Sequence, residues 1–274
     1  MSAPRTETAA EAPRVQSLER GIDILMALAH GPRSLTQVAE ATGLSKATTH
    51  RLLGGLGHES LVLRHPTEAL YLLGPGVLRL VQEATQGVGS FAAYARPAMV
   101  RLRDLSEESI TLHIRIGHER MCVEELPSPQ PLRYTAGVGS TAPLHVGAAG
   151  KALLAFDDPA ETERTLRVLP LEALTSATIV NPHALREELE QVRRQGWAAS
   201  EGERVQGAGA ISVPVFSHGR MISVMSLLAP ADRLDAGRRE ELLPALRGAA
   251  LDFQRAIEAA GADEVGPRPR RRSR

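Results

Sequence analysis

The stretch 34-SLTQVAEATGLSKATTHRLLGGLG-57 reads as two short helices joined by a tight turn, and the rest of the chain is organised around it. Leu35, Val38 and Ala39 recur at helical spacing behind Ser34 or Thr36 as a cap. Gly43 supplies the left-handed residue that ends the first helix. Leu44 then turns inward, and Ser45 caps a second helix. That helix is expected to bury Thr49, Leu52, Leu53 and Leu56 on one stripe. Ala47, Thr48, His50 and Arg51 fall on or beside the opposite face, with Lys46 in the first turn. A short helix presenting small, hydrogen-bonding and cationic residues suits a major groove. A helical hairpin on any globular surface gives the same local pattern, so the flanking segments decide.

Upstream, Leu18, Ile22, Leu25 and Leu28 predict a helix over residues 17–30 with that stripe buried, ended by Gly31-Pro32. Downstream, residues 61–64 and 70–73 are two short strand candidates around the turn His65-Pro66-Thr67-Glu68. Three helices and a hairpin make a winged helix-turn-helix. Arg64 and His65 would sit near the wing tip, within reach of phosphate or the minor groove. Gly74-Pro75-Gly76 marks a break, and residues 77–90 have the spacing of a linker helix with a glycine-rich end.

Beyond residue 90 the pattern changes. Ile110, Leu112, Ile114 and Ile116 alternate with Thr111, His113 and Arg115, which predicts a half-buried strand. A second strand follows over 121–126, and a short one is expected over 132–135. A loop of small residues, 137–147, feeds a helix over 148–156. Asp158 and Asn181-Pro182 open two more helices. Strands over 211–216 and 221–228 pair across a turn, and a long helix closes the domain over 235–260. Hairpin strands with helices before, between and after them indicate an α+β domain with an antiparallel sheet flanked by helices. The expected division is a disordered arm 1–13, a DNA-binding domain 14–76 with its helix-turn-helix at about 35–54, a linker 77–90, an effector domain 91–262 and a disordered basic tail 263–274.

Composition narrows the classes. The 274 residues carry 32 basic and 32 acidic side chains, so net charge argues neither for nor against nucleic acid. Between Arg14 and Arg79 there are seven basic against five acidic residues, so DNA binding there relies on placement rather than on a basic patch. Lysine occurs twice, at Lys46 and Lys151, against 30 arginines. The lone Cys122 excludes an internal disulfide and any multi-cysteine zinc site. No apolar run has the length of a membrane span, and the N-terminus lacks a signal-peptide core, which leads to the expectation of a cytoplasmic protein without membrane contact.

Catalytic patterns fail when tried. GAAGKA at 147–152 lacks the glycine spacing and the Ser/Thr of a phosphate loop. Gly207-Ala208-Gly209 has Ser212 where a dinucleotide fingerprint needs glycine. There is no GxSxG elbow, and His113, His118, Cys122 and His145 have no familiar metal spacing. The expectation is therefore a non-enzyme with no cofactor and no metal. What remains is the loop 143–148, whose backbone donors open a helix and would favour a carboxylate without a dedicated cation.

These segments resemble a family. PLHVGAAGKALLAF looks like a signature stretch of IclR-type bacterial transcriptional regulators, and LERGIDILMALAHGPRSLTQVAEATGLSKATTHRLLGGL is similar to their N-terminal domain. SPQPLRY and GWAASEGERVQGAGAISVPVF match two further segments. The resemblance spans residues 15–262. It implies a winged helix-turn-helix, a linker helix and a GAF-like effector domain, acting as a homodimer or tetramer on double-stranded operator DNA. It further implies control of a catabolic operon, more often by repression than activation. DNA contacts would come from Ser45, Lys46, Ala47, Thr48, His50, Arg51 and Arg64. The effector pocket would take Leu132, Leu144, Gly147, Ala148, Ser200, Ala208, Ala210, Ser226 and Leu228. Ser200, Ala210 and Leu228 depart from the family's more polar usage, which favours a larger or aromatic acid over a two- or three-carbon one. The rival reading is a small-molecule-binding enzyme or sensor with an incidental N-terminal helical hairpin.

Overall fold

The computed structural model describes residues 15–84 and 90–261. The expected N-terminal arm, the last residues of the linker and the basic tail lie outside the described residues. The chain divides into two compact units, Met1–Thr85 and Gln86–Arg274.

In the first unit, α1 (Gln16–Leu28), α2 (Leu35–Thr42) and α3 (Lys46–His58) pack with a three-stranded sheet of β1 (Arg33–Ser34), β3 (Leu70–Leu73) and β2 (Val62–Arg64). Ser34 and Gln37 form a reciprocal capping box at the start of α2, and Gly43 ends it at φ 66°. Ile24, Leu28, Val38, Leu53 and Val62 form the core. The expected α1 stripe holds at its C-terminal end, where Leu28 is buried and Leu25 packs on the core, but not at its start. Leu18 is 62% exposed and Ile22 49% exposed, while Gly21, Ile24 and Leu28 are the buried set. Helical spacing fixes a stripe only to within a rotation of the helix, and packing on α2 and α3 chose the neighbouring row. The proline of the expected break instead occupies the first position of α4 (Pro75–Ala84), where its missing N–H costs nothing. Gly74 and Gly76 are required there, because a Cβ would come within 2.2 Å and 2.7 Å of backbone oxygens of Ser60 and Glu59.

In the second unit, six antiparallel strands run in the order β6-β5-β4-β9-β8-β7. They are β4 (Ser109–Ile116), β5 (Glu119–Leu126), β6 (Thr141–Pro143), β7 (Ala198–Glu201), β8 (Ala208–Ser217) and β9 (Arg220–Pro230). On one face, α5 (Ser90–Ser106) and α9 (Ala236–Ala260) cover an aliphatic core that includes Ile110, Leu112, Ile211, Val213, Met225 and Leu227. On the other lies a layer of α6 (Gly147–Ala155), α7 (Pro159–Val168) and α8 (Pro182–Gln195), with every residue of α6 buried. This second layer corrects the half-buried reading of β4, because Thr111 and His113 are as buried as their aliphatic neighbours. No strand forms at 132–135; the short edge strand is β6, nine residues on, and β7 was not anticipated as a separate strand.

Candidate functional site

In the first unit, the exposed side of α3 is built by its cap. Ser45 Oγ accepts the Thr48 N–H at 3.2 Å and donates to Thr48 Oγ1 at 2.9 Å, while Thr49 Oγ1 donates to the Ser45 carbonyl at 3.0 Å. Thr49 and Leu53 are buried beneath, so the helix is fixed in rotation. Lys46, Ala47, His50 and Arg51 are exposed and Thr48 is half-buried. The side chains of Lys46, His50, Arg51 and Arg64 make no ion pair or hydrogen bond to other described residues. Arg64 ends β2 opposite Tyr71 on the wing. His65 does not reach outward: its Nδ1 accepts the Glu68 N–H at 3.2 Å and closes the wing turn.

The second unit contains a cavity of about 60 Å³ between the sheet and the N-terminus of α6. At roughly 10–15 Å³ per enclosed water by the same measure, it has room for more than one or two waters, enough for a small organic molecule. Strand alternation creates it. Ile110 and Leu112 of β4, Ile211 and Val213 of β8, and Leu227 of β9 point to the aliphatic core. The intervening Thr111, His113, Ser212 and Ser226 point the other way and line the cavity. Ser226 pairs in register with both Thr111 and Ser212, so three hydroxyls lie side by side across the strands, with Ser212 Oγ and Ser226 Oγ 2.7 Å apart. A bulge in β5 opposite Leu112 and His113 re-aims the strand end that carries Arg120 into the same cavity.

Seven of the nine expected effector residues line this cavity: Gly147, Ala148, Ser200, Ala208, Ala210, Ser226 and Leu228. Leu144 does not; it is fully buried in the layer of α6, α7 and α8. Leu132 does not either, being 66% exposed. The sequence reading missed Thr111, His113, Arg120, Tyr134, Glu203, Arg204 and Ser212, which also line it. The polar alternation of β4 holds a signal for Thr111 and His113, but by itself it reads as a solvent face. The two arginines gave no local signal.

The expectation of an anion held by the helix N-terminus alone is corrected. Glu203 accepts the Gly147 N–H at 2.9 Å and Ser200 Oγ accepts that of Ala148 at 3.0 Å, so those two donors are occupied. Gly147 sits at φ 79°, where glycine is favoured. Glu203 is itself held by Lys151, whose Nζ lies 2.6 Å from its Oε1 and 2.7 Å from Glu188 Oε1. Lys151 braces this wall from within the protein and does not face solvent. Among the described residues, the cavity cations without an acid partner are Arg120 and Arg204. Arg120 Nη1 lies 3.2 Å from His113 Nδ1, and His113 Nε2 lies 3.0 Å from Thr111 Oγ1. Donation by the guanidinium assigns the His113 proton to Nε2, so the imidazole is neutral. Burial, reinforced by Arg120 and then Arg204, holds its pKa well below 6.5. Burial beside Arg204 likewise lowers Arg120 to about 10, still cationic at neutral pH.

That shift has a measurable consequence. Because the folded state disfavours protonated His113, the unfolded chain takes up the extra proton first as pH falls. Stability contributed by neutral His113 is fully present above about 6.5 and is lost below it, by up to about 1.4 kcal/mol per pH unit. Urea unfolding of His113→Asn from pH 5 to 8 should show a shallower loss on the acid side than the native chain. Parallel curves would contradict the assignment.

Among the described residues, no group of three or more His, Cys, Asp or Glu side chains is arranged to hold a metal ion, and no helix is long and apolar enough to cross a membrane. A winged helix-turn-helix unit and a second unit enclosing a ligand-sized cavity define a DNA-binding regulator with a sensor domain. The chain belongs to the IclR family of bacterial transcriptional regulators: residues 17–66 match the IclR helix-turn-helix domain and residues 86–255 the IclR C-terminal domain. It is 33% identical over 85% of its length to an HTH-type transcriptional regulator of Mycobacterium tuberculosis, of which it covers 88%. It is 28% identical over 87% of its length to the transcriptional repressor IclR of Escherichia coli, again covering 88%. Among solved structures it resembles an IclR homologue from Microbacterium hydrocarbonoxydans complexed with 4-hydroxybenzoate, with a TM-score of 0.76 and 25% identity over 89% of this chain and 99% of that one.

Proposed function

We propose that α3 reads operator DNA in the major groove through Lys46, Thr48, His50 and Arg51, that Ser45 and Ala47 pack against the duplex, and that Arg64 on the wing meets phosphate. DNA contacts are assigned to residues 14–76, coupling to the linker 77–90 and effector binding to 91–262. The observation that carries this reading is the capped, rotationally fixed helix whose exposed cations have no partner among the described residues. The cavity takes an organic carboxylate larger than two or three carbons, in keeping with the aromatic acid bound by the Microbacterium homologue. The protein acts in the cytoplasm as a repressor of a catabolic operon; relatives such as the E. coli transcriptional repressor IclR and the Salmonella acetate operon repressor support this reading.

A homodimer or tetramer is part of the same proposal. Val15, Leu18, Ile22 and Met26 form an exposed apolar row along α1 at spacings of three and four residues, which a second copy would cover. Paired reading helices then meet two operator half-sites.

The test is a gel shift of the full chain on its own upstream DNA. Arg51→Ala should weaken operator binding by about 1–3 kcal/mol and relax the preference at one base pair. Lys46→Ala should weaken all sequences alike and flatten the salt dependence if its contact is to phosphate. Unchanged binding by both variants would remove α3 as the reading helix.

A further inference from the structure

The second unit contains many arginines, and outside the cavity those that leave the surface have found acids. Arg115 is paired with Asp157, Arg233 with Glu108 at 2.7 Å, and Arg239 with Glu201 at 2.8 Å. Arg120 breaks the pattern. It is only 7% exposed, yet among the described residues it faces no carboxylate, and its one hydrogen-bond partner is the neutral ring of His113. Its Nε is buried and makes no hydrogen bond. A buried guanidinium without a counter-charge costs several kcal/mol unless something compensates it. The cavity itself does not, because Glu203 is already shared between Lys151 and the Gly147 N–H.

The geometry indicates where the compensation comes from. His113 occupies Nη1, and Nη2 points towards Gly147 at the cavity wall, 3.7 Å from where a Cβ on that glycine would lie. Nε is enclosed by protein, so Nη2 is the guanidinium donor at the cavity wall that can meet a carboxylate oxygen. Arg204 lines the same cavity and has no acid partner among the described residues. The same cavity is lined by the paired hydroxyls of Ser212 and Ser226 and by Ala136, Ala149, Ala208 and Leu228.

We propose that Arg120, aimed by His113 and joined by Arg204, grips the carboxylate of the effector, with the ring or chain of the ligand laid towards the Ser212–Ser226 hydroxyls. The assignment rests on the effector reading above and replaces the helix N-terminus as the anion anchor. Arg120 binds the ligand directly. His113 is a positioning residue, holding Nη1 so that Nη2 stays at the cavity wall beside Gly147.

Calorimetry and thermal unfolding of the full chain with benzoate, phenylacetate, cyclohexanecarboxylate and succinate, each beside its neutral amide, test this. Acids should bind and raise the melting temperature, and the amide of any acid that binds should be at least about 10-fold weaker. Arg120→Met should lose about 10- to 100-fold in acid affinity while the ligand-free protein melts no lower than the native chain, because an uncompensated buried charge has been removed. Arg120→Lys should retain part of the affinity through a single-point contact. His113→Asn, which keeps an acceptor, should bind better than His113→Phe, which does not. If an acid binds and Arg120→Met binds it equally well, or if ligand-free Arg120→Met and Arg120→Lys both melt lower than the native chain, the arginine is structural and the proposal falls alone. If none of the acids binds the native chain, or their amides bind as well, the carboxylate reading falls and the proposal with it.

Discussion

Lys151→Met is expected to destabilise the second unit by about 3–5 kcal/mol, the cost of leaving a buried carboxylate without its cation. Lys151 is 2% exposed, lies on a helix buried along its whole length, and holds Glu203 and Glu188 at once. Glu203 has nowhere to turn. Its second oxygen is bound to the Gly147 N–H, and its backbone carbonyl accepts from Thr178 Oγ1 at 2.7 Å. Urea unfolding followed by circular dichroism measures the loss. Adding Glu203→Gln to Lys151→Met should recover part of it, since the two changes act on one pair and are not additive. A loss under about 1 kcal/mol for the single variant would show that solvent reaches the pair far more easily than its burial implies. The same variant should weaken carboxylate binding, because Glu203 forms part of the cavity wall.

Gly150→Ala should be nearly as damaging for a different reason. A Cβ at this position would lie 2.3 Å from the carbonyl oxygen of Leu144 and 2.9 Å from its carbon. Both are backbone atoms, and Leu144 is fully buried, so neither side can yield by rotating a side chain. Relief requires moving α6 off the loop that precedes it, at a cost of about 3 kcal/mol or somewhat more. For a unit of this size that lowers the melting temperature by about 6–12 °C. Gly55→Ala in α3 is the control. A Cβ there meets nothing within 4 Å, and removing a mid-helix glycine gains up to about 1 kcal/mol. Equal melting temperatures for the two variants would refute the packing argument.

The comparison between sequence and structure turns on how far each residue's partner lies along the chain. Ser34, Gly43 and Ser45 were legible because a cap is settled within four residues, and the three helices and wing followed from them. The aliphatic side of β4 was legible because alternation is local. Its other side was misread, since Thr111 and His113 look solvent-facing until α6, some thirty-five residues later, is laid over them. The start of α6 is legible, but its first donors look vacant in the sequence because their acceptors, Ser200 within β7 and Glu203 just after it, lie more than fifty residues on. Arg120 was invisible for the same reason. Nothing near it in sequence distinguishes it from Arg115, which has an acid waiting on another element.

The strand order of the effector unit also sets an order in time. β4 lies at the centre of the sheet, hydrogen-bonded on one side to its immediate successor β5 and on the other to β9, with Ser109 opposite Leu228. On a translating ribosome, at about 5–20 residues per second, that second edge stays open for roughly 6–20 s after β4 is made. The first unit has no such wait, since its sheet closes by residue 73. A nascent chain thus owns a finished DNA-reading head before it owns a sensor. One that stops short of β9 keeps the head and exposes a bare central strand, prone to pair with whatever edge it meets. Unregulated binding and aggregation are therefore the two faults that late truncation of this chain would produce together.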